Sequence, residues 1–305
     1  MSTEGGMKAV VAALLANLGI AISKFIAFAF TGSSSMLSEA IHSLADSGNQ
    51  ILLLIGNKRS KKAPDTRHNF GYGRRRFVYG FVVSIVLFLV GGVFSLYEGF
   101  HKWMHPEPLE DWWIAIVVLA VAIVLESLSF RTALQEANHA RGSRTLLRFV
   151  RDARQPELPV ILLEDAGALV GLVFALVGVG LAVITGDGRF DAVGAMAVGS
   201  LLVVIAVFLA IEMTAMLVGE SALPEEVEAI TSALESSDGV LRVIHLRTLH
   251  VGPDELLVAA KVAVAHSATG IEIADDIDDA EAKLRAAVPT AKYVFLEPDI
   301  DRSPS

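Results

Sequence analysis

Apolar residues gather in six runs, roughly 8–30, 34–57, 77–100, 112–133, 158–184 and 190–218, separated by short polar stretches. Each run has about the 20 residues that an α-helix needs to cross the hydrocarbon core of a bilayer. The pattern predicts six membrane helices within residues 1–219. After Gly219 the periodicity changes. PEEVEAITSALESS opens on Pro224 and acidic residues, which suits a helix N-terminus. VLRVIHLRTLHV alternates like a strand, Gly252-Pro253-Asp254 marks a turn, and ELLVAAKVAVA reads as a second strand. GIEIADDIDDAEAKLRAAV returns to a helical period, and KYVFLEP is a third strand. The expected architecture is an α-helical membrane domain with six transmembrane helices (1–219) followed by a small cytoplasmic α+β domain (220–305) in the order α-β-β-α-β.

Loop charge sets the expected orientation. Lys58, Arg59, Lys61, Lys62, Arg67, Arg74, Arg75 and Arg76 follow the second run, and Arg131, Arg141, Arg144, Arg148, Arg151 and Arg154 follow the fourth. The opposite loops, TGSSS, HKWMHPEPLED and TGDGR, carry few such charges. The positive-inside rule places both basic loops, and with them both termini, in the cytoplasm of an inner (plasma) membrane. Trp103, Trp112 and Trp113 fall at the far interface, as an aromatic belt does. LLRFVRDARQ (146–155) fits either an interfacial amphipathic helix or a solvated basic linker. The first run holds Lys24 and is followed by no small-residue cleavage signal, so it reads as a helix and not as a signal peptide.

Composition sharpens this picture. The chain is 53% hydrophobic with a mean hydropathy of +0.55, above the 45–50% usual for soluble domains. Residues 220–305 hold 17 Asp and Glu against 7 Lys and Arg, a net of −10, whereas the remainder is +1 and the whole chain −9. An acidic tail argues against nucleic acid as a partner. Cysteine is absent, which leaves His and carboxylates as the groups able to hold a transition metal.

Charged groups inside membrane helices are expensive and mark function by default. Glu39, His42, Asp46 and Asn49 follow spacings of 3, 4 and 3 and share one face of the second helix. His42 and Asp46, at i and i+4, are placed to bind one metal, and imidazole with carboxylate suits Zn²⁺ or a similar ion. A polar stripe that glues helices is the competing reading, and Glu39, nearer the membrane edge, reads as structural. Glu164 and Asp165 lie side by side in the fifth run, about 100° apart around the helix, so only one can face a shared site squarely. Ala166, Gly167, Ala168 and Gly171 follow and would let a neighbouring helix approach closely. Asn17, Lys24 and Glu126 read as helix-packing groups. No H-E-x-x-H, G-x-S-x-G or P-loop is present, so neither an enzyme nor an ATP-driven pump is indicated.

At these residues the chain resembles the cation diffusion facilitators. SSSMLSEAIHSLADSGNQILLLIG looks like that family's second helix with its metal pair, and PDTRHNFGYGR looks like its loop between the second and third helices. The resemblance implies a homodimeric, proton-coupled antiporter that exports zinc or a related divalent cation (Mn, Fe, Co or Cd), with metal ions, protons and the lipid bilayer as its partners. It carries His42, Asp46 and Asp165 over as ligands. The family's usual further ligand falls on Ile161, which cannot bind metal, and Glu164 is the nearest substitute. The branch that includes the mitochondrial zinc transporter is similar in carrying Glu-Asp here. Asp65 and His68 match positions that bind metal in some relatives, with Tyr72 in place of a second His. In the tail, His245 and Glu297 match metal positions, whereas Ala260, Ile273 and Phe295 replace other ligands. His250 and His266 read as ordinary surface residues. A passive cation channel and a non-transporting interaction protein on the same fold are the rival readings.

Overall fold

The computed structural model describes residues 3–301 except 107 and 143, with side chains described from residue 17 onward apart from 140. The chain divides into two compact units, Met1–Lys58 with Phe77–Met213, and Arg59–Arg76 with Thr214–Ser305. The basic loop 59–76 thus groups with the C-terminal residues and not with the helices that flank it.

The first unit is a helical bundle built from α1 (Thr3–Thr31), α2 (Ser34–Ser60), α3 (Arg75–Val86), α4 (Phe94–Met104), α5 (Trp112–Arg141), α6 (Leu146–Asp152), α7 (Glu157–Thr185) and α8 (Arg189–Val218). A π-helical segment, Leu87–Val93, joins α3 to α4 into one span. That span, α5, α7 and α8 are long and apolar enough to cross a membrane. With α1 and the more polar α2 they form the six-helix membrane domain. In lipid every backbone polar group must be satisfied internally, so helices are the only open-chain solution.

Small residues decide which helices touch. A Cβ on Gly178 of α7 would lie 3.0 Å from Gly194 Cα of α8, and one on Gly92 would lie 2.7 Å from Val203. Gly171 faces Glu39, whose Oε1 would stand 2.7 Å from an added Cβ. The glycines after Asp165 therefore do admit neighbours, α2 at Gly171 and α8 at Gly167. Leu119, Leu172, Val179 and Met36 form one apolar cluster with Ala27. Leu53, Val83, Leu87, Val198 and Leu202 form another. Residues 146–152 are a helix, capped by Thr145, with Phe149 and Val150 buried, which decides for the amphipathic helix over a linker.

The second unit holds α9 (Pro224–Glu235), β1 (Arg242–Gly252), β2 (Glu255–Ala263), α10 (Gly270–Ala287) and β3 (Ala291–Asp299). The sheet order is β1-β2-β3, with β1 and β2 antiparallel and β2 and β3 parallel. The parallel pair requires a crossover, which α10 supplies. Period-two burial of Leu256, Val258, Ala260 and Val262 gives β2 its inner face, closed by Ile230 and Leu234 of α9 and Leu284 of α10. Thr269 and Glu272 cap α10 reciprocally. The loop 59–76 joins this unit through Phe70, edge-on to Tyr293 at 5.1 Å, and through Arg76, 3.4 Å from Asp254.

Candidate metal centre

α2 positions the polar stripe. Glu39, His42 and Asn49 are fully buried and the Asp46 side chain is 13% exposed. His42 Nε2 lies 3.5 Å from Asp46 Oδ2. Neither nitrogen of His42 has a hydrogen bond among the described residues, nor does Asp46 Oδ1. Glu39 is bound instead by Lys24 of α1, whose Nζ lies 3.0 Å from its Oε2 and 2.7 Å from Ser43 Oγ. Lys24 therefore pairs with a carboxylate inside the bundle, and Glu39 is its counter-ion.

The facing wall comes from α7 and α5. Asn49 donates to Glu164 Oε1 at 2.7 Å, and Ser129 donates to Asp165 Oδ2 at 2.9 Å. Glu164 is thus the carboxylate turned toward α2, and Asp165 is turned toward α5. Both line one small cavity of about 10 Å³ with Asp46, Glu126, Asn17, Ser43, Gln50 and Ile161. That volume is on the order of a single water or ion. Glu164 reaches the cavity from an unbroken α7, Glu157–Thr185. Among the described residues no three His, Asp or Glu side chains converge at metal-binding distance; the donors surround the cavity and are partly engaged by Asn49 and Ser129. Asn17 and Glu126, expected as packing groups, both line the cavity. The signal for Glu126 was available, since an acidic residue in an apolar helix is a functional candidate on its own.

The loop candidates are arranged differently. Asp65 accepts hydrogen bonds from Tyr72 Oη at 2.7 Å and from Lys62 Nζ at 2.9 Å, and His68 Nδ1 lies 3.5 Å from its other oxygen. Lys62 and Arg75 also lie over the Tyr72 ring, at 4.5 and 4.2 Å. A metal at Asp65 would compete with this internal cation. The Tyr72 hydroxyl first, and the Lys62 ammonium next, hold the Asp65 carboxyl well below the usual carboxylate range. Its folded-state value is depressed, so its contribution to stability is present above the unfolded value of about 3.9 and is lost as pH falls from there toward the depressed value. Tyr72→Phe is expected to raise the Asp65 midpoint toward the ordinary range, read by NMR titration of its carboxyl carbon. An unmoved midpoint would show that Tyr72 does not hold it.

In the tail, His245, Lys261 and Glu297 stand in register on neighbouring strands. Lys261 lies between the two candidate ligands and binds Glu297 at 2.9 Å and Asp299 at 3.1 Å, which sets a cation where a bridging metal would sit. His250 is 1% exposed, a correction to its reading as a surface residue. Its place at the inward-turning end of β1, where its backbone N–H bonds the Glu220 carbonyl, explains the burial.

Residues 10–218 match the family model described as the cation efflux transmembrane domain, and residues 222–299 match the cation efflux protein cytoplasmic domain. The chain is 34% identical over 261 residues to the mitochondrial proton-coupled zinc antiporter SLC30A9 of Mus musculus, covering 85% of this chain and 46% of that protein. It is 25% identical over 264 residues to metal tolerance protein C4 of Arabidopsis thaliana, covering 86% and 58%. Over 309 aligned positions it is 24% identical to the cation-efflux pump FieF of Pectobacterium atrosepticum strain SCRI 1043, covering 97% and 93%. The chain spans about half the length of the mitochondrial antiporter that it matches.

Proposed function

The chain belongs to the cation efflux family of membrane transporters, and from that premise we propose that it exports a divalent cation, zinc first among them, in exchange for protons. The observation that carries the reading is the cavity between α2, α5 and α7, which Asp46, Glu126, Glu164 and Asp165 all line inside a membrane bundle. Buried carboxylates are costly in lipid unless they serve a charged cargo. His42 and Asp46 offer one imidazole and one carboxylate from α2, and Glu164 and Asp165 offer two more oxygens from α7. Binding requires a neutral imidazole and ionised carboxylates, so metal entry displaces protons. Protons that arrive from the other side restore the starting state, and alternating access around a site at mid-depth completes the cycle. The names of the relatives, a proton-coupled zinc antiporter and a cation-efflux pump, support the same exchange.

In this reading residues 1–219 form the transport domain and residues 220–305 a cytoplasmic domain. The two basic loops keep both termini in the cytoplasm of the inner membrane. Two copies pair, with the tail contributing to the contact. Asp65 and His68 belong to a structural loop cluster and not to the transport path, because Lys62 already neutralises Asp65.

The test is zinc uptake by proteoliposomes under an imposed pH gradient. Gradient-driven uptake is expected in the native protein, and Asp46→Ala is expected to abolish it. Uptake that ignores the gradient would support a channel, and uptake that survives Asp46→Ala would remove the cavity from the path.

A further inference from the structure

We infer that Glu126 of α5 is a further ligand of the transported cation, supplying the donor that Ile161 withholds and making the site oxygen-rich enough to take manganese(II) and iron(II) besides zinc. The inference rests on the transport site proposed above and extends it to a third helix.

The placement of Glu126 follows from the packing of α5. Ala115, Leu119, Ala122, Ala133 and Ala137 are buried, and their spacing defines a single inward stripe. Glu126, half-buried, and Ser129, exposed, fall at the two positions that continue that spacing between Ala122 and Ala133. Ser129 proves the direction of the stripe, because it donates to Asp165 of α7 at 2.9 Å. Glu126 is one turn away on the same face and lines the cavity with Asp46, Ile161, Glu164 and Asp165.

Two further observations separate Glu126 from a packing residue. First, no hydrogen bond to its carboxylate occurs among the described residues, whereas Glu164 is held by Asn49 and Asp165 by Ser129. The buried cation nearby, Lys24, is committed to Glu39 and Ser43. An intramembrane carboxylate without a partner is destabilising unless a cation visits it. Second, Asp46, which lines the cavity, has a buried Oδ1 with no hydrogen bond among the described residues, and behind it His42, outside the cavity lining, is fully buried with neither nitrogen hydrogen-bonded and Nε2 3.5 Å from Asp46 Oδ2. Unsatisfied buried polar groups of this kind call for a ligand.

Donor chemistry then sets the substrate class. One imidazole with up to four carboxylates is poor in nitrogen and has no sulfur. Carboxylate-rich sites suit manganese, and the imidazole retains zinc and iron(II). Ile161 lines the same cavity, so a nitrogen donor introduced there reaches the same ion.

The test compares zinc and manganese uptake by the full-length protein in vesicles of phosphatidylethanolamine and phosphatidylglycerol. Glu126→Gln is expected to raise KM on the order of 10–100-fold, the scale for loss of a metal-site partner, with the larger effect on manganese. Adding Ile161→His to that variant is expected to restore zinc uptake but not manganese. A structural role for Glu126 would yield no such metal-selective rescue. If Glu126→Gln does not fold, Glu126→His carries the test, with an expected preference for zinc over manganese. Native KM values for both metals in Glu126→Gln, or an unchanged preference in Glu126→His, would overturn the inference while an inactive Asp46→Asn left the transport site standing. Native transport in both Glu126→Gln and Asp46→Asn would overturn the transport site and the inference together.

Discussion

Lys24→Met is expected to destabilise the detergent-solubilised protein by about 3–5 kcal/mol, the range for removing one partner of a buried ion pair. Both Lys24 and Glu39 are fully buried, and their ammonium–carboxylate distance is 3.0 Å. Without the lysine, Glu39 keeps its desolvation penalty and loses its counter-charge, and Glu39 Oε1 has no hydrogen bond among the described residues to compensate. The double variant Lys24→Met with Glu39→Gln is expected to be milder than the single, because no uncompensated charge remains. Thermal unfolding of the native protein, the two single variants and the double forms a cycle that isolates the pair. A double variant no more stable than Lys24→Met would show that the charge is not what the lysine neutralises.

Asp191→Ala is expected to be comparably severe. Asp191 begins α8, yet its carboxylate caps α2: it accepts from Ser33 Oγ and Ser34 N–H at 2.7 Å each and from Ser35 N–H at 3.3 Å. A negative charge at a helix N-terminus is stabilised by free N–H groups and by the helix dipole. Lys102, 3.6 Å away and also bonded to the Gly32 carbonyl, completes the site. Truncation strands a buried lysine and opens the first turn of the helix that carries His42 and Asp46. A loss of about 3–5 kcal/mol follows from the stranded charge, and zinc uptake is expected to fall with it. Asp191→Asn, which keeps acceptor capacity, is expected to retain more of both. Equal stability for the Ala and Asn variants would argue against the cap.

How much of this was legible in the sequence depends on the range of the interaction. The polar stripe of α2 was readable because residues three and four apart share a face whatever lies opposite. The order of the C-terminal elements was readable because period two in 255–263 and helical period in 270–287 are local. Which of two adjacent carboxylates meets α2 was not, since Glu164 and Asp165 both lie within reach of an inner face and only the positions of Asn49 and Ser129 decide. Asp191 gives no such signal because it stands at the very start of the sixth run, where an acidic residue suits any helix N-terminus, and acts on serines about 157 residues earlier. Glu126 looked like a packing residue because its companions sit on other helices. The π-helical turn at 87–93 has no signature in hydropathy, which registers length and apolarity but not hydrogen-bond period. The docking of loop 59–76 against the tail depended on Phe70 meeting Tyr293, a pair far apart in the chain.

The Lys24–Glu39 pair also bears on how the chain enters the membrane. A lysine or an acidic residue at the centre of an inserting helix costs about 2.5–3.5 kcal/mol on the scale measured at the translocon, and α2 adds His42, Asp46 and Asn49 to that burden. Ser34–Ser60 does not reach the apolarity of the other spans, so by itself it is a poor substrate for lateral release into lipid. α1 ends at Thr31 and α2 begins at Ser34, which leaves a two-residue hinge and makes the helices antiparallel neighbours from the moment both are synthesised. Their charges can cancel before either faces hydrocarbon. A hairpin of α1 and α2 that partitions whole would spare each charge its separate cost, and the ion pair inside it is what makes the more polar α2 acceptable to the bilayer.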